Sequence, residues 1–342
     1  MKATIYRGPG CVEIAEKPIP QTASGEVLLQ IRRVGICGTD LLIFQGGMPE
    51  RAKPGRILGH EMVAVIAGPE NSAGFQPGTR VVVEPTVACG HCQACRSGFT
   101  HVCENLRFLG IDADGALQEF WSVPADRLHA IPATIQDDHA ALIEPLAVAV
   151  HDVRLAAIQP GETVAVIGGG PIGLMIALLA RRAGARVILL EMNAHRLTFA
   201  HGLGFQVGDV SLIDSRELIR DFTQGAGANV VFEVSGSAGA ARLMTALAAV
   251  RGRLIAVGIQ GRETSIDLFQ IFYRELSLHG VRAYTREDFQ EAIRLIASGE
   301  IDLAGFISRR FPMVEVQSAL KLALSGAPVI KALIDFTLSN ET

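Results

Sequence analysis

The sequence predicts a two-domain α/β protein, a mostly antiparallel β domain followed by a doubly wound parallel sheet. Three observations carry this. A chain of 342 residues is too long for one comfortable core. Short β runs separated by Gly/Pro turns fill the N-terminal part. From about residue 152 to 285 strands and helices alternate regularly, opening on a glycine-rich turn. A hydrophobic fraction of 49% against 19% charged residues suits a well-buried globule. A net charge of −4 without a long basic run argues against nucleic-acid binding. The N-terminal "MKATIYRGPGCVEIAEK" carries charges throughout and no apolar segment, so no signal peptide is read and a cytoplasmic location is expected.

The β runs of the first part are "EVLLQIRRVGI", "MVAVIAG" and "TRVVVEP". After the first comes "GICGTD", which sets a lone Cys37 in a glycine-bracketed turn with Thr39 two residues on. "GHE" at 59–61 places His60 and Glu61 side by side. Taken singly, Cys37 reads as a small buried hydrophobe, His60 as a core or surface histidine and Glu61 as a solvated acid.

Six cysteines without a secretion signal favour metal or catalysis over a disulfide framework. Cys89, Cys92, Cys95 and Cys103 are spaced C-x2-C-x2-C-x7-C, so four thiolates can close a tetrahedral shell around Zn2+. An iron–sulfur cluster is the chemical rival, but the last gap is seven residues and no proline follows Cys103. A closed shell has no open position, so this metal is expected to hold a lobe at about 86–106 together and to catalyse nothing. His91 lies inside the loop as a bystander.

Next comes "IEPLAVAVH", with Glu144. The stretch 163–180 has no charge over its whole length and mimics a membrane span, but the Gly168-Gly169-Gly170-Pro171 block would break a helix there. Strand, turn and helix are expected instead. Gly168, Gly170 and Gly173 form G-x-G-x-x-G, for a tight turn, a close pyrophosphate and helix-on-strand packing. Pro171 and Ile172 complete the loop at the helix N-terminus, where free N–H groups attract an anion. Glu191 ends the second strand 18 residues past Gly173, where an acid accepts the ribose 2′-OH of NAD and repels the 2′-phosphate of NADP. Arg196 and His195 lie nearby and weigh the other way. Further strands are expected at "NVVFEVSG" (229–236), "RLIAVG" (253–258, with Val257 at the cofactor end) and "LSLHGV" (276–281), with "AGAARLMTALAAV" helical between them. The last segment has helix-period apolar residues from "FQEAIRLIASGEIDL" and a closing strand "IKALIDF", which is expected to return to the first domain.

With these motifs in order, the chain closely resembles the zinc-dependent medium-chain dehydrogenases, and within them the sorbitol-type polyol, sugar-acid and threonine branch. "GICGTD", "GHE", the four-cysteine lobe, "IEPLAVAVH" and "GGGPIG" carry the resemblance nearly end to end. It implies a GroES-like, mostly-β catalytic domain from residues 1–151 and 286–342, and a Rossmann NAD-binding domain at 152–285. It further implies a catalytic zinc on Cys37 and His60, with Glu61 as resting ligand and Glu144 as exchange partner or anchor for a water. Thr39 would start the proton relay, and Glu61 and Glu144 count with it among the catalytic groups. A dimer or tetramer is implied through the edge strand in "ELSLHGV". Ala64, Thr79 and Ala116 depart from the usual pattern without touching a ligand, so they bear on substrate rather than reaction.

A mixed S, N, O donor set with an open position suits catalytic zinc, which lowers the pKa of an alcohol O–H ahead of hydride transfer to nicotinamide. The expected function is NAD-linked oxidation of a secondary alcohol in a polyol, sugar or sugar acid, with two zinc ions per chain. The alternatives are L-threonine, butanediol or polyol phosphate as substrate, or an NAD-binding regulator without activity. Phe44, Gln45, Arg107, Phe108 and Glu119 are the positions to inspect for the substrate pocket.

Overall fold

The computed structural model describes residues 1–68 and 74–338. It contains two compact units, one of Met1–Pro145 with Thr285–Thr342 and the other of Leu146–Tyr284.

The first unit is organised by a seven-stranded sheet. In spatial order its strands are Ile307–Pro312, Lys331–Asp335, Glu26–Gly35, Glu61–Ile66, Arg80–Val83 and Leu128–Ala130, with Phe120–Pro124 also paired to Glu26–Gly35. The closing strand lies antiparallel to Glu26–Gly35, with Leu333 opposite Gly35. Gly35 in turn faces Glu61 on the next strand. One buried cluster unites both chain segments: Leu29, Val34, Ile57 and Val81 pack with Phe311, Leu320 and Ile334. Leu29 and Val34, five residues apart on one strand, both reach this cluster because the pairing with Glu61–Ile66 slips between Ile31 and Arg33, and Leu320 joins it from the helix Val316–Leu324. A two-residue ladder, Thr86–Val87 against Arg107–Phe108, closes the base of the cysteine lobe.

The second unit has six parallel strands in the order Gln206–Asp209, Arg186–Glu191, Thr163–Ile167, Ala228–Glu233, Ala248–Ala256, Ser277–Gly280. Numbered along this unit, that is 3-2-1-4-5-6, the doubly wound arrangement whose order reverses beside the first strand. All five residues of Thr163–Ile167 are buried, as a strand covered on both faces requires. The charge-free stretch at 163–180 divides into that strand and the helix Pro171–Arg182. Among the described residues no helix is long and apolar enough to cross a membrane.

The unit boundary falls at Pro145/Leu146 rather than at 151/152, and one segment changes type. The helix at 238 ends at Leu247, and Ala248, Ala249 and Val250, expected to be helical, open the strand Ala248–Ala256. The pairing slips between Ala228 and Val230, and Arg251 takes φ 60°. A strand bent this way mixes small apolar residues without strict alternation, so helix and strand periods are indistinguishable there.

Candidate active site

In the lobe, Cys92 Sγ lies 3.5 Å from Cys95 Sγ and 3.8 Å from Cys103 Sγ, and one sulfur from each of the four cysteines falls within 4.8 Å of the others. A tetrahedral zinc with Zn–S of about 2.3 Å sets sulfurs about 3.8 Å apart, so the donors fit that ion. Backbone N–H groups aim at the sulfurs: Cys89 N–H donates to Cys103 Sγ, Cys92 N–H to Cys89 Sγ and Asn105 N–H to Cys103 Sγ. Hydrogen bonding from His91 N–H, and then from Cys92 N–H, holds the Cys89 thiol down to about 6. Burial, with Cys92 and Cys103 close by, pushes Cys95 up to about 12. Four sulfurs this crowded do not all ionise unless a cation lies among them. His91 turns away and bonds the Cys89 carbonyl through Nδ1.

The second cluster is assembled by the sheet. Cys37 caps the helix Gly38–Phe44, its Sγ accepting from Thr39 N–H at 3.4 Å while its own N–H donates to Asp40 Oδ2 at 2.9 Å, a reciprocal capping box. Gly35 precedes this turn, and a Cβ there would collide with Glu61 Oε2. Only glycine admits the carboxylate so close to the strand. Cys37 Sγ, a ring nitrogen of His60 and an oxygen of Glu61 gather within 4.8 Å, with His60 and Glu61 buried. Burial by itself would lower the His60 pKa, but the negative charges of Cys37, Asp40 and Glu144 outweigh it and raise that pKa well above its usual value. A field that favours a cation on the ring also favours a metal cation among these donors. His60 Nδ1 and Asp40 Oδ1 are buried without a hydrogen-bond partner, 3.9 Å apart. The donors therefore fit zinc.

Glu144, on the helix Ile143–Ala156, is buried but is not one of the three whose donor atoms cluster. Its charge raises the pKa of His60 and of Lys331. Thr39 is half-buried in the first turn after Cys37. Phe108 sets its ring edge against His60, centroids 5.2 Å apart. The other positions marked for the pocket sit differently. Phe44 is packed in the core, Gln45 and Arg107 are exposed, and Glu119 Oε2 accepts from Lys2 N–H.

Two residues were missed. Lys331 is fully buried and donates to both oxygens of Glu61. A lone lysine inside the apolar run "VIKALI" was the available signal. Asp40 was legible as the third residue after a helix cap.

In the second unit Gly168 takes φ +111°, and a Cβ on Gly173 would collide with the Gly168 carbonyl, so helix and strand meet closely only through glycine. Gly170 caps the helix, Pro171 and Ile172 begin it, and Val257 N–H bonds the Glu233 carbonyl. Glu191 Oε2 accepts from Gly169 N–H, and Oε1 from Met192 and Asn193 N–H. Arg196 Nη1 lies 3.6 Å from Oε2. The acid thus also braces the glycine loop, which its spacing alone did not announce.

The family described as alcohol dehydrogenase GroES-like domain matches residues 23–133, and that described as zinc-binding dehydrogenase matches 171–298. The chain is 42% identical to the 2-dehydro-3-deoxy-L-galactonate 5-dehydrogenase of Pseudoalteromonas atlantica, over 98% of each. It is 34% identical to the L-galactonate-5-dehydrogenase of Escherichia coli, over 98% of this chain and 99% of the other. Among solved structures, a zinc-binding dehydrogenase from Sinorhizobium meliloti bound to NADP superposes with a TM-score of 0.90 at 32% identity, covering 98% of both chains.

Proposed function

The chain belongs to the zinc-binding alcohol dehydrogenases with a GroES-like domain, and from that premise we propose that it oxidises a secondary alcohol of a sugar acid, or of a related sugar or polyol, with NAD as hydride acceptor. The observation that carries this reading is the convergence of one sulfur, one ring nitrogen and one carboxylate oxygen within 4.8 Å, a donor set that leaves room for a substrate oxygen. Zinc held there supplies the Lewis acidity that lowers the pKa of an alcohol O–H. A bound nicotinamide ring supplies the hydride acceptor.

The chain's own residues do the rest. The Thr39 hydroxyl, in the turn that presents Cys37, takes the proton of the substrate hydroxyl and passes it outward. Phe108, edge-on to His60, keeps water from one side of the ring. Glu61 and Glu144 share the remaining coordination place. The first-turn N–H groups after Gly170 receive the pyrophosphate, together with the loop at 168–173. Three of the roughly four lone-pair sites of the Glu191 carboxylate are filled by backbone N–H groups. The fourth, on Oε2 and 3.6 Å from Arg196 Nη1, is the site the ribose 2′-OH would take, and the carboxylate there disfavours a 2′-phosphate against the pull of Arg196. The cysteine lobe takes a second zinc with a purely structural task.

The working form is a cytoplasmic homo-oligomer. The edge strand Ser277–Gly280 is wholly exposed, and Leu268, Phe269, Phe272 and Tyr273 stand 63–78% exposed just before it, an edge and an apolar patch that a second copy would cover.

The test is a screen of aldonates, C4 to C7 polyols, butanediol, polyol phosphates and L-threonine for reduced-cofactor absorbance, with NAD and NADP in parallel. An aldonate turned over with NAD ahead of NADP is the expected result, since both named relatives act on C5 of a sugar acid. Turnover of L-threonine, butanediol or a polyol phosphate alone would overturn the substrate class and keep the reaction. Silence on every compound would promote a regulator that binds the dinucleotide.

A further inference from the structure

The C-terminal ends of the parallel strands carry a second acid besides Glu191. Ile167, the last strand residue before Gly168, faces Leu190 on one side and Glu233 on the other. Glu191 follows Leu190 and is the acid for the adenosine ribose. The glycine loop between them receives the pyrophosphate, so the other half of a dinucleotide falls over the end of Ala228–Glu233. Glu233 is 1% exposed. Its Oε1 accepts from Ser235 Oγ at 2.6 Å and Gly236 N–H at 2.9 Å, and its Oε2 from Gln260 Nε2 at 2.9 Å. The Gln260 amide oxygen in turn accepts from Thr264 Oγ1. A carboxyl that accepts three bonds and donates none is held ionised. Its main-chain carbonyl takes the N–H of both Val257 and Gly258, so the segments after two neighbouring strands close on this one residue.

Every one of these donors is neutral. Among the other buried carboxylates, Glu84 has Arg127 and Arg286, Glu191 has Arg196, and Asp335 has Arg33. Among the described residues Glu233 has no such cation, only its three hydrogen bonds. A buried carboxylate without a counter-ion is costly to keep, and its field reaches further than that of an ion pair. The oxidised nicotinamide ring is a cation, and taking up hydride cancels that charge. We propose that Glu233 is a fixed negative charge on the nicotinamide side of the crevice, which makes the site favour the oxidised dinucleotide over the reduced one. Ser235, Gly236 and Gln260 hold the charge in place without neutralising it. The acid thereby helps NAD to bind and the reduced product to leave, and product release is a step that often sets turnover. The inference rests on the reading of this unit as an NAD site.

The experiment titrates NAD, NADH and ADP-ribose into the full-length protein by calorimetry, with no alcohol present. ADP-ribose lacks the nicotinamide ring and so reports the fit of the rest of the site. Glu233→Gln keeps size and, once the Gln260 amide turns over, the hydrogen bonds, but it loses the charge. It is expected to weaken NAD roughly tenfold and to leave NADH and ADP-ribose as in the native chain. Gln260→Lys sets an ammonium beside the untouched carboxylate and is expected to weaken NAD relative to NADH in the same way. Gln260→Leu removes one bond and keeps the charge, so its ratio of NAD to NADH affinity should stay native. Equal weakening of all three ligands in Glu233→Gln would overturn the proposal and reduce the acid to a brace for the loop. A fall of the ratio in Gln260→Leu would overturn it too. If Glu233→Gln fails to fold, an unchanged ratio in Gln260→Lys still overturns the proposal. A native protein that binds neither dinucleotide sinks the NAD reading and this inference with it; binding of both with a ratio insensitive to the charge sinks the inference alone.

Discussion

The four sulfurs of the lobe come from one short loop, residues 89–103, whereas Cys37, His60 and Glu61 are gathered by a sheet. The lobe aims its sulfurs with its own backbone N–H groups, and only a cation is needed to finish it. The mixed cluster is braced by side chains from outside the donor set, Asp40 and Lys331, and it holds buried polar atoms in reserve on His60 and Asp40. A site with four like donors and no spare partner suits permanence. Unlike donors, competing counter-ions and unspent hydrogen-bonding capacity suit a site whose coordination must change during turnover.

The sharpest way to break this contrast is to remove one sulfur from each site. Cys37→Ser is expected to reduce turnover by roughly a thousandfold or more and to leave one metal per chain by elemental analysis. Cys95→Ser should also leave one metal, but with the opposite phenotype. Tm falls because the lobe loses the ion that closes it, while kcat per folded molecule stays within a few-fold of native. If either variant lost both metals, the two sites would be one cooperative structure and the contrast would fall.

Thr39→Val comes next in size. It removes a hydroxyl and keeps the shape, and the N–H that reaches Cys37 Sγ is untouched. Turnover should drop about a hundredfold, the low end for a lost proton-transfer group, with both metals retained and Tm nearly unchanged. A native rate in Thr39→Val would move the proton exit to another group.

What could be read in advance follows the same division. The lobe, the glycine loop and Glu191 were visible because each is a contiguous pattern whose physics is local: sulfur spacing, backbone freedom, an acid at a strand end. Lys331 was not, because its partner is 270 residues away along the chain and meets it only through the register of three strands. Phe44 was marked for a similar reason, since a phenylalanine about two turns past Cys37 can face a pocket or the core, and here it packs in the core. Glu191 was singled out for an expected ribose contact, whereas the bond it does make, accepting from Gly169 N–H, depends on how tightly the loop folds back.

The smallest expected effect is the most discriminating for the mixed site. Asp40 Oδ2 accepts from Cys37 N–H, while Oδ1 is buried, unpartnered and 3.9 Å from the equally unpartnered His60 Nδ1. Burial raises the Asp40 pKa, and the nearby His60 pulls it back, so the carboxylate is matched to a positive or hydrogen-bearing ring. When His60 gives one nitrogen to a metal, its other N–H needs an acceptor, and Oδ1 is the orphaned oxygen beside it. Asp40→Asn can keep the helix cap through its amide oxygen but turns an NH2 group toward the ring. Affinity for the catalytic metal, measured by chelator competition, should fall roughly tenfold, turnover should recover with added zinc, and the lobe metal should be held as before. Recovery with zinc separates a brace from a participant in the reaction. A loss of turnover that zinc does not restore would give Asp40 a direct part in the chemistry, and equal weakening of both metals would mean that Asp40 supports the fold of the whole unit rather than the aim of one histidine.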